Sequence, residues 1–206
     1  MKHILVYLSL VAGLLVSCQR TSQFTIEGVV SHAEGETLYL EHTALMQTSV
    51  VDSCVLTAKG DFLLKASAPQ YPDFYRLRIG RNSLILAIDS TEVITITATR
   101  DSLANTLAIE NSDNTLMIAQ LRAMAHASSR EDLREEAKKI IVANPRSLAA
   151  YYAVFMKQNG EYIWNIFDPS DRRMFQAVAT SFHTWMPNYE RTKALYIQVK
   201  EVMQVE

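Results

Sequence analysis

The chain has 206 residues, 49% of them hydrophobic and 20% charged, and its formal net charge is −2. That is enough chain for one or two small domains with a real core, and no basic patch with interleaved aromatics marks a nucleic-acid partner. With two cysteines only, Cys18 and Cys54, there is no disulfide framework to read, and folding rests on packing.

Lys2 and His3 open the chain with positive charge, and Ile4 to Val16 form a mostly apolar run. A membrane-spanning helix needs about 20 such residues, so the run has the shape of a secretory signal instead. Its tail, Leu15-Val16-Ser17-Cys18, resembles the lipobox of bacterial lipoproteins. The resemblance implies cleavage after Ser17 and a lipid on the Cys18 sulfur. Residues 1–17 are then a signal peptide and 18–23 a lipidated tether, the membrane being one partner. By the sorting rule of Gram-negative lipoproteins, the same resemblance implies that Gln19 behind the cysteine, rather than Asp, favours the outer membrane, with the protein facing the periplasm as a cell-envelope component.

Residues 24–111 read as strands. "FTIEGVV" and "ETLYLEH" come first, then "TSVVDSCVLTA" and "GDFLLKAS", which Lys59-Gly60 joins as a plausible hairpin. In "GDFLLKAS", Phe62, Leu64 and Ala66 alternate with Asp61 and Lys65, the period of a half-buried strand. In "DFYRLRIG", Phe74 alternates with Tyr75, and Leu77 and Ile79 alternate with Arg76 and Arg78. "SLILAID", "EVITITAT" and "TLAIEN" complete about eight strands. Turn signals near every tenth residue favour an antiparallel sandwich or small barrel with one wet face.

From residue 112 to 206 the apolar period becomes helical. Ser112, Asp113 or Asn114 caps a first helix with Leu116, Ile118, Ala119 and Leu121 inward. "SREDLREEAKKIIVAN" is amphipathic, with Glu135 four residues before Lys139, and stops at Asn144-Pro145. "SLAAYYAVFMKQNG" is expected to run to Gly160. Asp168-Pro169 starts a fourth helix on Met174, Phe175, Val178 and Phe182. Asn188 caps a fifth, with Leu195, Tyr196, Val199 and Val202 inward. Eight strands followed by five helices define an α+β chain.

With both halves in view, the ordered set "FTIEGVV", "LYL", "VDSCVLTAKGDFLL", "YPDFYRLRI", "LAIDSTEVITITA" and "NPRSLAAYYAVF" resembles the front part of lipid-anchored thioredoxin-like proteins of Gram-negative anaerobes. Those proteins begin with a β-rich domain of unknown function. In that family a thioredoxin domain carrying Trp-Cys-x-x-Cys follows the helices. The present sequence ends at Glu206, about where that domain would begin, and holds no Cys-x-x-Cys. The paired thiols that such chemistry needs are therefore not carried over. The expectation is a non-catalytic interaction or platform module with an envelope protein as partner. The alternatives are a truncated portion of a thiol-disulfide oxidoreductase and a small-ligand or glycan binder that uses the sandwich loops and has a concave aromatic-lined pocket.

Individual candidates are few. Cys54 reads first as a small buried residue and second as a thiol that meets a redox partner. His32 and His42 flank an expected hairpin, but no further ligand stands at metal spacing beside both, so no metal or other cofactor is expected. Asp52-Ser53 and Asp89-Ser90 read as backbone hydrogen-bonding pairs. The aromatics of the helical half sit at core spacing. Tyr162, Trp164 and Phe167, in "NGEYIWNIFDP", fall off the helical stripes and form the candidate partner surface.

Overall fold

A computed structural model describes residues 22–204. The expected signal, cleavage site and Cys18 lie outside the described residues. Eight strands come first: β1 (Gln23–Ser31), β2 (Thr37–Thr43), β3 (Thr48–Val55), β4 (Asp61–Ser67), β5 (Asp73–Ile79), β6 (Asn82–Ile88), β7 (Val93–Thr99) and β8 (Ile109–Glu110). Five α-helices follow: α1 (Asp113–Ala127), α2 (Arg130–Ala143), α3 (Leu148–Val154), α4 (Pro169–Trp185) and α5 (Glu190–Gln204). A small hairpin, β9 (Lys157–Gln158) and β10 (Glu161–Tyr162), interrupts the helices after α3.

The strands form two open four-stranded sheets, β4-β1-β7-β8 and β3-β2-β5-β6, and no closed barrel. The first sheet is mixed rather than antiparallel, because β1 runs parallel to β7. Gly28 makes that pairing possible. Its φ is +146°, and a Cβ there would stand 1.8 Å from Ile96 O, so any side chain would collide with the neighbouring strand. Lys59-Gly60 turns the chain tightly, with Gly60 N donating to Thr57 O at 2.9 Å. It does not close a hairpin, however: β3 pairs with β2 and β4 with β1, so the turn passes the chain from one sheet to the other. Asp52 supports this corner from the edge of β3. Its Oδ2 accepts from Lys65 N on β4 at 2.8 Å, and its Oδ1 from Ser53 N at 2.8 Å.

The two sheets enclose one apolar core, in which Phe24, Ile26, Leu38, Leu40, Leu77, Leu84, Ile94 and Ile96 are fully buried. Only part of the second sheet keeps the expected wet face. On β5, Tyr75, Leu77 and Ile79 enter the sandwich core, while Phe74 points the other way into a second core built by the helices. Ala87 on β6 does the same. The outcome is three layers, sheet on sheet on helices, and the near-continuous apolar run of β6 reflects burial on both faces. β6 is also an edge strand, and α1 covers it. Thr115, fully buried, accepts from Ala87 N at 3.0 Å through Oγ1, and Ser112 Oγ lies 2.8 Å from that oxygen. A strand edge that would otherwise offer unpaired backbone is thereby closed.

Helix boundaries follow their caps. Ser112 occupies the N-cap position of α1, Ser129 accepts from Asp132 N ahead of α2, and Asp168 accepts from Ser170 N ahead of Pro169 in α4. α3 ends at Val154, not at Gly160. Asn159 and Gly160 both take positive φ (53° and 86°) between β9 and β10, the backbone of a tight two-residue hairpin turn. On α2 the ion pairs are Glu135–Lys138 at 3.6 Å and Glu136–Lys139 at 3.0 Å, three residues apart rather than the expected four.

Candidate functional site: an arginine-studded aromatic groove

Where the outer face of β5 and β6 leaves the cover of α1, a groove of about 580 Å³ opens between sheet and helices. Phe74, Ile85 and Arg76 form its floor, Tyr151, Tyr152 and Phe155 from α3 one wall, and Arg191, Ala194 and Leu195 from α5 the other. Thr43, Leu45 and Tyr162 stand at the rim, and Arg122 reaches in from α1. The volume suits a small organic ligand. The rings of Phe74 in the floor, Tyr151 and Phe155 in the wall and Phe175 behind it run in contact, with centroids 5.2 to 6.0 Å apart, which stiffens the site.

Three guanidiniums line the groove and no carboxylate does. Two of the three are held from behind. Arg76 pairs with Glu41 at 2.5 Å, and Glu41 also accepts from Arg78 Nε at 2.8 Å. Burial pulls the Glu41 carboxyl up, but these two arginines outweigh it and hold the group below the usual carboxylate range. Arg191 Nε donates to Asp73 Oδ1 at 3.0 Å, and its Nη2 donates to Thr43 O. Asp73 also accepts from His42 Nε2 at 2.8 Å, Tyr189 Oη at 2.7 Å and Phe74 N at 2.8 Å. Burial alone would raise the Asp73 carboxyl; the His42 and Tyr189 hydrogen bonds, with Phe74 N and the Arg191 charge, bring it below its ordinary value. Arg122 differs from both. Its contact is a long one, Nη1 to Ser83 O at 3.4 Å, and no ion pair engages it among the described residues. Burial pushes the Tyr151 and Tyr152 hydroxyls up, so both remain neutral donors beside these cations.

The residues singled out from sequence are dispersed. Tyr162, half exposed, lies on the groove rim with Lys157 Nζ 4.3 Å from its ring centroid. Phe167 is exposed away from the groove. Trp164 belongs to neither surface. It is 6% exposed in the helical core, its Nε1 donates to Ala153 O at 3.0 Å, and the Arg134 guanidinium stacks on its ring at 4.3 Å. The inward indole is satisfied there, because its N–H meets a carbonyl in the last turn of α3. The three expected surface aromatics therefore do not share one face.

Cys54 is half-buried on the edge strand β3 against the sandwich core, and burial, then the Asp52 charge, pushes its thiol up. His32 and His42 do not form a pair across a hairpin, since β1 and β2 belong to different sheets; His42 is engaged with Asp73 instead. Asp89 accepts from Asn114 Nδ2 on α1 at 2.9 Å, so this acid bonds a helix side chain rather than backbone. Among the described residues, no group of three or more His, Cys, Asp and Glu side chains could hold a metal ion, and no helix is long and apolar enough to cross a membrane.

Two arginines of the groove carry a sequence signal in their helical positions. Arg122 stands four residues after Ile118, and Arg191 four before Leu195 and eight before Val199. Both occupy positions on the inward stripe of their helices, where an arginine is expected only if something inside needs it.

Residues 24–119 match a family described as a domain of unknown function, DUF4369. The matched segment holds the whole two-sheet sandwich and the first turns of α1, a β-rich domain. No curated protein matches the chain. Among solved structures, a 9R-lipoxygenase from Cyanothece PCC8801 aligns over 61% of this chain and 25% of its own, at 7% identity and a TM-score of 0.23; the chain thus spans a quarter of that enzyme's length.

Proposed function

We propose that this chain is a lipid-anchored envelope protein whose folded part is a non-catalytic binding module, with the groove between β5–β6, α3 and α5 as its binding site. The observation that carries the reading is the groove: convergent guanidiniums among stacked aromatic rings, with no acid in its lining. Such a lining recognises a ligand without supplying a general base or nucleophile. The state of Cys54 supports the same view, because a reactive thiol needs a lowered pKa and this one is raised. The lipobox-like Leu15-Val16-Ser17-Cys18 supports anchoring at the outer membrane, facing the periplasm. The ordered resemblance to the front part of thioredoxin-like lipoproteins supports kinship with that family, and the match to a domain of unknown function is consistent with it.

The test uses the full chain expressed in a Gram-negative host and released from its membranes. Native mass spectrometry compares wild type with Cys18→Ser, and with Ala194→Trp, which fills the groove from its exposed helical rim. Wild type is expected in the membrane fraction with acylated Cys18 and a co-purifying ligand; Cys18→Ser loses the anchor and Ala194→Trp the ligand. An unmodified Cys18 in a freely soluble product overturns the anchor. Identical ligand content in Ala194→Trp and wild type, including none in either, overturns the groove.

A further inference from the structure

The occupant of the groove is constrained by charge. Of the three guanidiniums that line it, Arg76 is engaged by the buried carboxylate of Glu41 and Arg191 by the mostly buried one of Asp73. Among the described residues Arg122 pairs with no carboxylate, and its hydrogen bond to Ser83 O is a long one. A half-buried guanidinium on an apolar slot favours an anionic group beside it. Most of the remaining slot is aromatic and aliphatic, Phe74, Ile85, Tyr152, Phe155 and Leu195 among it, with Thr43, Ser83 and Gln198 as its other polar positions.

Resting on the binding-module reading, we infer that the groove takes a small organic carboxylate with an aromatic or branched apolar body, its carboxylate on Arg122 and its body against Phe74, Tyr152 and Phe155. Arg122 offers the planar, paired N–H donors that the two oxygens of a carboxylate match. The Tyr152 hydroxyl, neutral beside Arg122, supplies a second donor to the same carboxylate.

The experiment is isothermal titration of the full chain in lipid nanodiscs with phenylbutyrate and with its uncharged counterpart phenylbutyramide, at low and high salt. Phenylbutyrate is expected to bind saturably and more weakly at high salt, with the amide at least about tenfold weaker. Arg122→Gln is expected to bring the acid down to the level of the amide, and Arg122→Lys to keep part of the difference through its charge. Equal affinity for acid and amide, or an unchanged acid affinity in Arg122→Gln, overturns the inference; so does no saturable binding of either probe. If Arg122→Gln does not fold, the salt dependence and the acid–amide comparison in wild type decide alone. These results stand apart from the binding-module reading itself, which is decided by ligand content in Ala194→Trp.

Discussion

Arg191 on the last helix donates its Nε to Asp73 Oδ1 at the start of β5, 3.0 Å away across 118 residues of sequence. Both side chains are close to nine-tenths buried, 11% and 13% exposed. The pair joins the helical layer to the sheet at the point where the groove begins, and Tyr189 and His42 complete the Asp73 shell. Removing one member of such a pair leaves the other buried without compensation. Asp73→Ala is expected to cost about 3–5 kcal/mol, measured by urea unfolding, with the groove side of α5 the first region to lose amide protection. A cost below about 1 kcal/mol would mean that water already screens Arg191.

Acid should weaken the same joint. The Asp73 and Glu41 carboxyls are held below their ordinary values in the fold. A depressed folded pKa contributes stability that is complete above the unfolded value, near 4, and is lost as pH falls through the folded value. Wild type should therefore lose stability steeply below about pH 4, and Asp73→Asn less steeply. The gap between the two proteins should be widest at neutral pH and close toward acid. A gap independent of pH would assign the effect of the substitution to packing.

Much of the architecture was legible because it is written locally. The period of two in "GDFLLKAS" and the Asp168-Pro169 cap each depend on neighbours within one turn or strand, and both hold in the structure. What escaped depends on partners far away in sequence. Lys59-Gly60 carries the same φ preference whether it closes a hairpin or passes the chain between sheets; the choice is made by the pairing of β4 with β1. Asn159-Gly160, by contrast, was a strong local hairpin signal, outweighed in the reading by an apolar stripe that continued past Val154. Trp164 went inward for a carbonyl that no sequence pattern announces. The groove was partly legible: its aromatics were visible as a stripe, but its cations were hidden on the inward faces of α1 and α5.

Cys54 offers a direct reading of its surroundings. Burial, then the Asp52 charge, pushes the thiol up, so little thiolate is present near neutral pH. Its reaction with a disulfide reagent should be slower than that of an unstructured thiol and should still be accelerating above pH 9, past the ordinary thiol value near 8.5. Asp52→Asn removes the nearby charge and should quicken the reaction at fixed pH. It also removes an acceptor of the Lys65 amide, so the comparison belongs in conditions where circular dichroism shows the variant folded. A rate equal to that of a free thiol at neutral pH would restore Cys54 as a candidate for mixed-disulfide chemistry.

The last prediction concerns how α1 closes the edge of the second sheet. Thr115 has no exposed surface, and its Oγ1 accepts the Ala87 amide at 3.0 Å while standing 3.3 Å from the Ala87 carbonyl. Thr115→Val keeps the shape and removes the oxygen. Ala87 N then has no acceptor in an apolar setting, since Ser112 Oγ already lies between Thr115 and the Ala87 carbonyl. The expected cost is about 1–3 kcal/mol, larger than for an exposed threonine, and Thr115→Ser should recover most of it because the hydroxyl stays. Hydrogen exchange separates the hydrogen bond from simple packing: the Ala87 amide should lose protection in Thr115→Val while Leu86, in the middle of the β5–β6 ladder opposite Tyr75, keeps its own. If both amides lose protection together, α1 holds β6 through apolar contact and the threonine is incidental.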